Sequence, residues 1–199
     1  FYLKKLFALA TSLSDRTRTD DRRLIFLLIL ATLPAAILGV AFKDYFESTF
    51  SEPKMSAIAL LVTASFIWLT RFFNRGQRSV GMKEAIIMGF AQAVAIFPGI
   101  SRSGSTISAG MFAGVNAVAA AEFSFLMSIL AVGGAVVLKS KSLLLLDQTH
   151  LGPYLFGAVI SFVTGMAAVA GLLRIIQRGK FEYFAYYCLA AGIIGLIIF

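Results

Sequence analysis

The chain is organised in uninterrupted apolar blocks. Those at 24–42 (containing Pro34), 121–138, 151–173 and 181–199 approach or reach the length of a bilayer crossing, and 57–69 does so once extended at both ends. A spanning helix needs roughly 20 residues. Two further blocks, 85–97 and 107–119, are short, and the second is rich in Gly and Ala. Residues 1–13 carry apolar positions at helical spacing, as in the tail of an earlier helix or an interfacial one. This pattern predicts an all-α polytopic membrane protein forming a single transmembrane domain over 1–199. It would hold about five full transmembrane helices and one re-entrant helix–loop–helix over 84–119.

Composition agrees with a bilayer environment. Of 199 residues, 59% are hydrophobic and 14% are charged, and the mean hydropathy is +0.86. A soluble domain carries about 25% charged residues. The net charge of +8 would suggest nucleic acid as a partner in a soluble protein, but here the basic residues sit between the apolar blocks, so no nucleic-acid partner is expected. Cys188 is the lone cysteine and lies in an apolar block, which excludes a disulfide or a cysteine metal framework within one chain. No signal peptide is recognisable, and the first residue is Phe1, as in a processed product or fragment.

The basic residues also set a topology, because Lys and Arg concentrate on the cytoplasmic side. Segment 1–23 has six (Lys4, Lys5, Arg16, Arg18, Arg22, Arg23), segment 71–83 has four (Arg71, Arg75, Arg78, Lys83), and segment 174–180 has three (Arg174, Arg178, Lys180). If all three are cytoplasmic, two spans link the first to the second, and two more lead back from about residue 120 to the third. Residues 84–119 then have to leave the cytoplasmic side and return to it on arms of about 13 residues, too short to span. A re-entrant hairpin satisfies this, and two tilted complete spans satisfy it equally.

At the tip of that hairpin lies Pro98-Gly99-Ile100-Ser101-Arg102-Ser103-Gly104-Ser105-Thr106. An arginine at mid-membrane depth costs roughly 2.5–3.5 kcal/mol on insertion scales, so Arg102 points to a negative ligand. Phosphate is the natural one, since the guanidinium fork matches its oxygens. Pro98 and Gly99 end the first arm. Gly104 frees the chain again, and Ser105 or Thr106 can cap a second arm starting near Ile107. Unpaired N–H groups at that helix start favour an anion, and Ser101, Ser103, Ser105 and Thr106 add short donors. The plainer alternative for the small residues is close helix packing, which suits Gly110 and Gly114.

Other polar positions are less telling. Glu84 suits a helix N-terminus, Gln92 suits either a cavity or a helix-packing amide, and Glu122 lies near the start of the 121–138 block. His150 falls in the polar loop Asp147-Gln148-Thr149-His150. No metal-ligand cluster stands at helical spacing.

The nine-residue run resembles the PGxSRSxxT motif of the undecaprenyl-diphosphatase (BacA, bacitracin-resistance) family. Ala31-Thr32-Leu33-Pro34-Ala35-Ala36-Ile37-Leu38-Gly39 resembles that family's threonine–proline span, and Ala121-Glu122-Phe123-Ser124-Phe125-Leu126 resembles the segment after its motif. The similarity runs from about Arg22 to the end. It implies dephosphorylation of undecaprenyl diphosphate to the monophosphate, recycling the lipid carrier of cell-wall synthesis in a bacterial inner membrane. It also implies an inverted-repeat architecture, Mg²⁺ or Ca²⁺, and a possible homo-oligomer.

By motif position, Ser101, Arg102 and Thr106 would be the catalytic residues, with Gly99, Ser103, Gly104 and Ser105 binding substrate. The family's glutamate-rich ExxxE segment and its Ser-Gly-His loop are not in this chain: Gln92 and Ile96 stand where an ExxxE pair would sit, and His150 does not match. The chain resembles a family member without its first two or three membrane segments, keeping a phosphate clamp and lacking general acid–base groups and metal ligands. A transporter or flippase of a phosphorylated polyprenyl lipid and an inactive truncated homologue are the alternatives.

Overall fold

The computed structural model describes residues 19–42, 45, 52–73, 76–144 and 151–199. Within them lie seven α-helices: α1 (Thr19–Ala41), α2 (Pro53–Leu69, continued by the 3-10 turn Thr70–Phe72), α3 (Met82–Val94), α4 (Arg102–Phe112), α5 (Ala117–Leu144), α6 (Leu151–Gln177) and α7 (Tyr183–Ile198). Four stretches are long and apolar enough to cross a membrane: Thr19–Ala41, Pro53–Phe72, Ala117–Val137 and Gly152–Gln177. The expected fifth span, α7, is a shorter apolar helix of 16 residues. The 1–13 segment and His150 lie outside the described residues.

Lipid does not drive apolar helices together, since its tails are as apolar as Leu; close approach of small residues does. That is how this bundle is built. A methyl placed on Gly89 of α3 would stand 2.5 Å from the Ala31 carbonyl oxygen of α1, and one on Gly39 would touch Ile96 just beyond α3. The two contacts run in the same order along both segments, so α1 and α3 are parallel. Gly110 of α4 faces Met88 of α3 and Ala120 of α5, and with the Arg78–Val115 bridge and the Thr106–Ser124 pair this makes α4 antiparallel to both. Gly192 of α7 meets Leu61 and Gly195 meets Ala57, so α2 and α7 are antiparallel. Ala31, Ala85, Met88, Ile107, Met111, Ala120 and Met127 form the buried centre.

Outward faces stay apolar and exposed, as on α1 at Phe26, Ile29, Leu33 and Ile37, spaced three or four apart. Residues 152–168 of α6 are exposed throughout. Hydroxyls within the spans are satisfied locally: Thr32, Thr63, Ser65 and Thr164 each donate to the carbonyl four residues back, at 2.7–3.0 Å. Pro34 lies inside α1, which continues through it.

These directions place the start of α1, the end of α2, the start of α3, the end of α6 and the start of α7 at one end of the bundle. Arg22, Arg23, Arg71, Arg78, Lys83, Arg174, Arg178 and Lys180 all belong to those termini or their connections. A short bridge between Arg78 and Val115 closes the base of the α3–α4 hairpin at this basic end. Its arms have 13 and 11 residues.

The Gly89–Ala31 contact leaves no room for a side chain. Gly89→Val is expected to lower the stability of the detergent-solubilised protein by about 1–3 kcal/mol, the usual range for overpacking. Gly165→Ala, where a methyl would meet nothing within 4 Å, should not lower the melting temperature. Equal melting temperatures for the two variants would contradict the packing described.

Candidate functional site

The hairpin tip is built by a glycine that no other residue replaces easily. After α3 the chain turns through Ala95–Phe97, with the Phe97 N–H donating to the Val94 carbonyl and the Ile100 N–H to the Phe97 carbonyl. Gly99 follows with φ +86°, the left-handed region that side chains rarely adopt. A methyl there would also collide with the backbone of Ser56 in the first turn of α2. Gly99 is therefore a folding residue of the tip, pressed against α2.

Two residues later α4 begins, and here the structure corrects the expectation of a start near Ile107. The helix starts at Arg102, with Ser101 as its N-cap (φ −68°, ψ 114°). The Gly104 N–H donates to Ser101 Oγ at 3.1 Å, and the Ser105 N–H donates to the Ser101 carbonyl at 2.9 Å. Gly104 leaves room for this cap, since a methyl on it would stand 3.0 Å from both Ser101 Oγ and Ile67 Cδ1. The Ser101 N–H in turn donates to Thr63 Oγ1 of α2 at 3.2 Å. Thr63 lies 10 residues from the start of α2 and 6 from its end. At 1.5 Å per residue that is about 15 Å and about 9 Å, so α4 starts inside the bundle and not at its surface.

A helix start exposes N–H groups. Those of Arg102 and Ser103 find no acceptor among the described residues. The Arg102 guanidinium forms no ion pair or hydrogen bond among them either, and it is partly exposed. Ser103 and Ser105 are partly exposed, and their hydroxyls are equally uncommitted within the described residues. One full positive charge, two backbone N–H groups, two hydroxyls and the positive end of a helix dipole thus gather at one place. Such a set suits a multiply charged oxyanion.

Thr106 faces the interior of the bundle. It is fully buried, and its Oγ1 is 2.9 Å from the Arg102 carbonyl and 2.6 Å from Ser124 Oγ of α5. If its single proton goes to the carbonyl, Ser124 donates to Thr106. In this arrangement Thr106 fastens the first turn of α4 to α5. The Ser101 hydroxyl is likewise engaged, in the cap of α4. Ser124, the other half of the tie to α5, had as its only signal in the sequence the segment 121–126.

Of the remaining candidates, Glu84 accepts the Gly81 N–H at 3.1 Å and so caps α3. Glu122 is partly buried near the start of α5. Gln92 is 3% exposed, and neither amide atom has a hydrogen-bond partner among the described residues; the Ser108 hydroxyl is in the same position. The contact of Met88 with Gly110 puts Gln92, one turn further along α3, level with Thr106 on antiparallel α4. Cys188 is buried in α7. Among the described residues no group of three His, Cys, Asp or Glu stands close enough to hold a metal ion.

The model of the family described as bacitracin resistance protein BacA matches residues 1–194. The chain belongs to the BacA family. Relatives named undecaprenyl-diphosphatase include one from Korarchaeum cryptofilum (strain OPF8), 39% identical over 178 residues, covering 88% of this chain and 66% of the relative. One from Desulforapulum autotrophicum is 38% identical, covering 89% of this chain and 65% of the relative. One from Alkaliphilus metalliredigens (strain QYMF) is 36% identical, covering 98% and 73%. The chain thus spans about two thirds of the length of the curated BacA relatives it matches.

The Thr106–Ser124 link is testable apart from activity. Thr106→Val leaves the Ser124 hydroxyl buried without its partner, and about 1–3 kcal/mol of stability should be lost. Adding Ser124→Ala should restore part of that loss. A double-mutant cycle in detergent that shows strictly additive effects would rule the link out.

Proposed function

We propose that this chain forms the phosphate-binding half of an undecaprenyl-diphosphatase, a membrane hydrolase that converts undecaprenyl diphosphate to the monophosphate. The observation that carries this reading is the uncommitted cation and helix start at Arg102, deep inside a membrane bundle. A diphosphate on a lipid is an anion delivered to that environment by its own apolar tail. Membership of the BacA family and the names of its relatives support the same substrate. The cell-wall role and a bacterial plasma-membrane location enter the proposal through the family resemblance of the motif alone.

Arg102 in this reading neutralises the diphosphate and the charge that grows on its oxygens as the phosphate bond breaks. The N–H groups of Arg102 and Ser103 bond two of those oxygens, and the hydroxyls of Ser103 and Ser105 bond others. In a site with little water such donors stabilise charge far more than at a wet surface. Ser101 and Thr106 hold the donors in place, through the cap and through α5. Gly99 and Gly104 keep the backbone close enough for both. Mg²⁺ or Ca²⁺ belongs to the proposal through the family resemblance alone. The described residues offer no carboxylate cluster to hold a metal, so no step runs through one here.

Arg102→Ala is expected to reduce phosphate release from a polyprenyl diphosphate in detergent micelles by roughly 10²–10³-fold, the scale of removing one preorganised donor from developing charge. Membrane insertion should persist. Arg102→Lys should recover part of the rate, because it restores charge without the fork. Near-normal release in the alanine variant removes the clamp. Micelles hold no gradient, so substrate binding without release there, followed by vectorial movement in vesicles, identifies a carrier instead.

Gln92 offers a second test. Its unpaired amide is a cost to the fold, so Gln92→Met should raise the melting temperature, by the equivalent of about 1–3 kcal/mol. If the amide serves the polar centre beside Thr106, the same variant should lose activity. A variant unchanged in both respects would show that Gln92 has a partner the present arrangement does not contain.

A further inference from the structure

A second feature lies on another face of α2, away from Thr63 and Ile67, which turn toward α4. It is a groove of about 460 Å³ between α2 and α7, walled by Ala64, Ser65 and Trp68 on one side and Ala185, Tyr186 and Leu189 on the other. The Ser65 hydroxyl donates to the Leu61 carbonyl at 3.0 Å, so even this polar residue presents little unsatisfied polarity to the groove. An apolar groove on a membrane helix pair is unremarked by itself. What singles this one out is its end.

Because α2 and α7 are antiparallel, the end of one and the start of the other meet at the basic end of the bundle. There the Arg71 guanidinium sits over the Trp68 ring, 3.9 Å from its centroid, and over the Phe72 ring at 4.5 Å. Trp68 is also a wall of the groove. Next to the opposite wall, the Tyr183 ring is 6.2 Å from that of the wall residue Tyr186, and Lys180 Nζ lies 5.3 Å from the Tyr183 centroid. Both cations are exposed, and neither forms an ion pair among the described residues. Glu182, two residues from Lys180, engages neither cation.

Stacking on aromatic rings orients a cation without neutralising it. Trp, Tyr, Arg and Lys at a helix end also mark the headgroup level of a bilayer. An apolar groove whose headgroup end carries two unneutralised, oriented cations is complementary to one kind of bilayer component.

We propose that the α2–α7 groove binds an anionic phospholipid of the surrounding bilayer, with one acyl chain between Trp68 and Tyr186 and the headgroup phosphate at Arg71 and Lys180. This site is separate from the Arg102 motif, which approaches α2 through Thr63, and it does not depend on the function proposed for that motif.

The test is native mass spectrometry of the whole protein in detergent with phosphatidylglycerol or phosphatidylcholine. Phosphatidylglycerol should remain bound preferentially. Arg71→Gln and Lys180→Gln should each weaken its retention by about fivefold, corresponding to about 1 kcal/mol per cation at a membrane surface. Leu189→Trp, which fills the groove and keeps both cations, should abolish retention while the protein stays monodisperse with an unchanged melting temperature. Equal binding of the two lipids, or no effect of the glutamine variants, overturns the proposal. Retention in Leu189→Trp overturns the groove as its location. Displacement of phosphatidylglycerol from the groove by a polyprenyl phosphate assigns it to the substrate tail and also overturns the proposal.

Discussion

A helix that begins deep inside a membrane bundle leaves backbone N–H groups without helical acceptors, and the rest of this structure follows from how that is managed. In hydrocarbon each unsatisfied backbone group costs several kcal/mol. Helix α4 starts level with Thr63, well inside α2. Its Gly104 N–H goes to Ser101 Oγ, its Ser105 N–H begins the helical ladder, and the preceding Ser101 N–H goes to Thr63. The N–H groups of Arg102 and Ser103 remain, joined by a guanidinium of the same sign. Non-helical backbone at this depth is tolerated where it lines a water-filled cavity, and an anion would supply the missing acceptors and the missing charge together.

Seen this way the motif divides its residues between two tasks. Gly99, Gly104, Ser101 and Thr106 are spent on geometry. They make the left-handed turn against Ser56, the space beside Ile67, the cap, and the tie to Ser124. Arg102, Ser103 and Ser105 keep their donors free. A motif read as a row of similar small polar side chains would give all of them one role. The hydrogen bonds separate them, because a hydroxyl already satisfied within the protein has less to offer a ligand than one without a partner.

Much of the architecture was legible in the sequence because membrane helices write themselves as apolar blocks, and because the basic residues mark one side. The charge parity that required 84–119 to go in and come back out is matched by the antiparallel α3 and α4, closed at the basic end by Arg78 and Val115. The start of α4 was misplaced by five residues for a physical reason. Ser, Gly and Thr have poor helix propensity, since their side chains compete for backbone groups or leave the backbone free, so 102–106 reads as a loop. Here tertiary contacts override propensity, and Ser101, not Ser105 or Thr106, takes the cap. The burial of Thr106 was illegible for a different reason: the pairing with Ser124 depends on how α5 is rotated, and a uniformly apolar helix gives no periodic signal for rotation. The same uniformity hid the α2–α7 groove, whose walls are ordinary span residues until their facing partners are known.

Gln92 shows what such a site costs. Its amide and the Ser108 hydroxyl are buried without partners, each a loss of about 1–3 kcal/mol by the usual measure. Helices here are held by small-residue contacts such as Gly89 with Ala31 and Gly110 with Ala120, which provide dispersion and no hydrophobic drive. A bundle bound so modestly has little stability to lose, and an apolar residue at position 92 would cost the packing nothing visible. The amide nevertheless sits level with Thr106, behind the first turn of the helix that carries Arg102. Among the described residues the buried unpaired polarity is therefore concentrated along the α3–α4 hairpin, where the backbone N–H groups of Arg102 and Ser103 are also unmet. Folding alone gives no reason for these groups to share one hairpin, whereas a bound anion would give them all the same one.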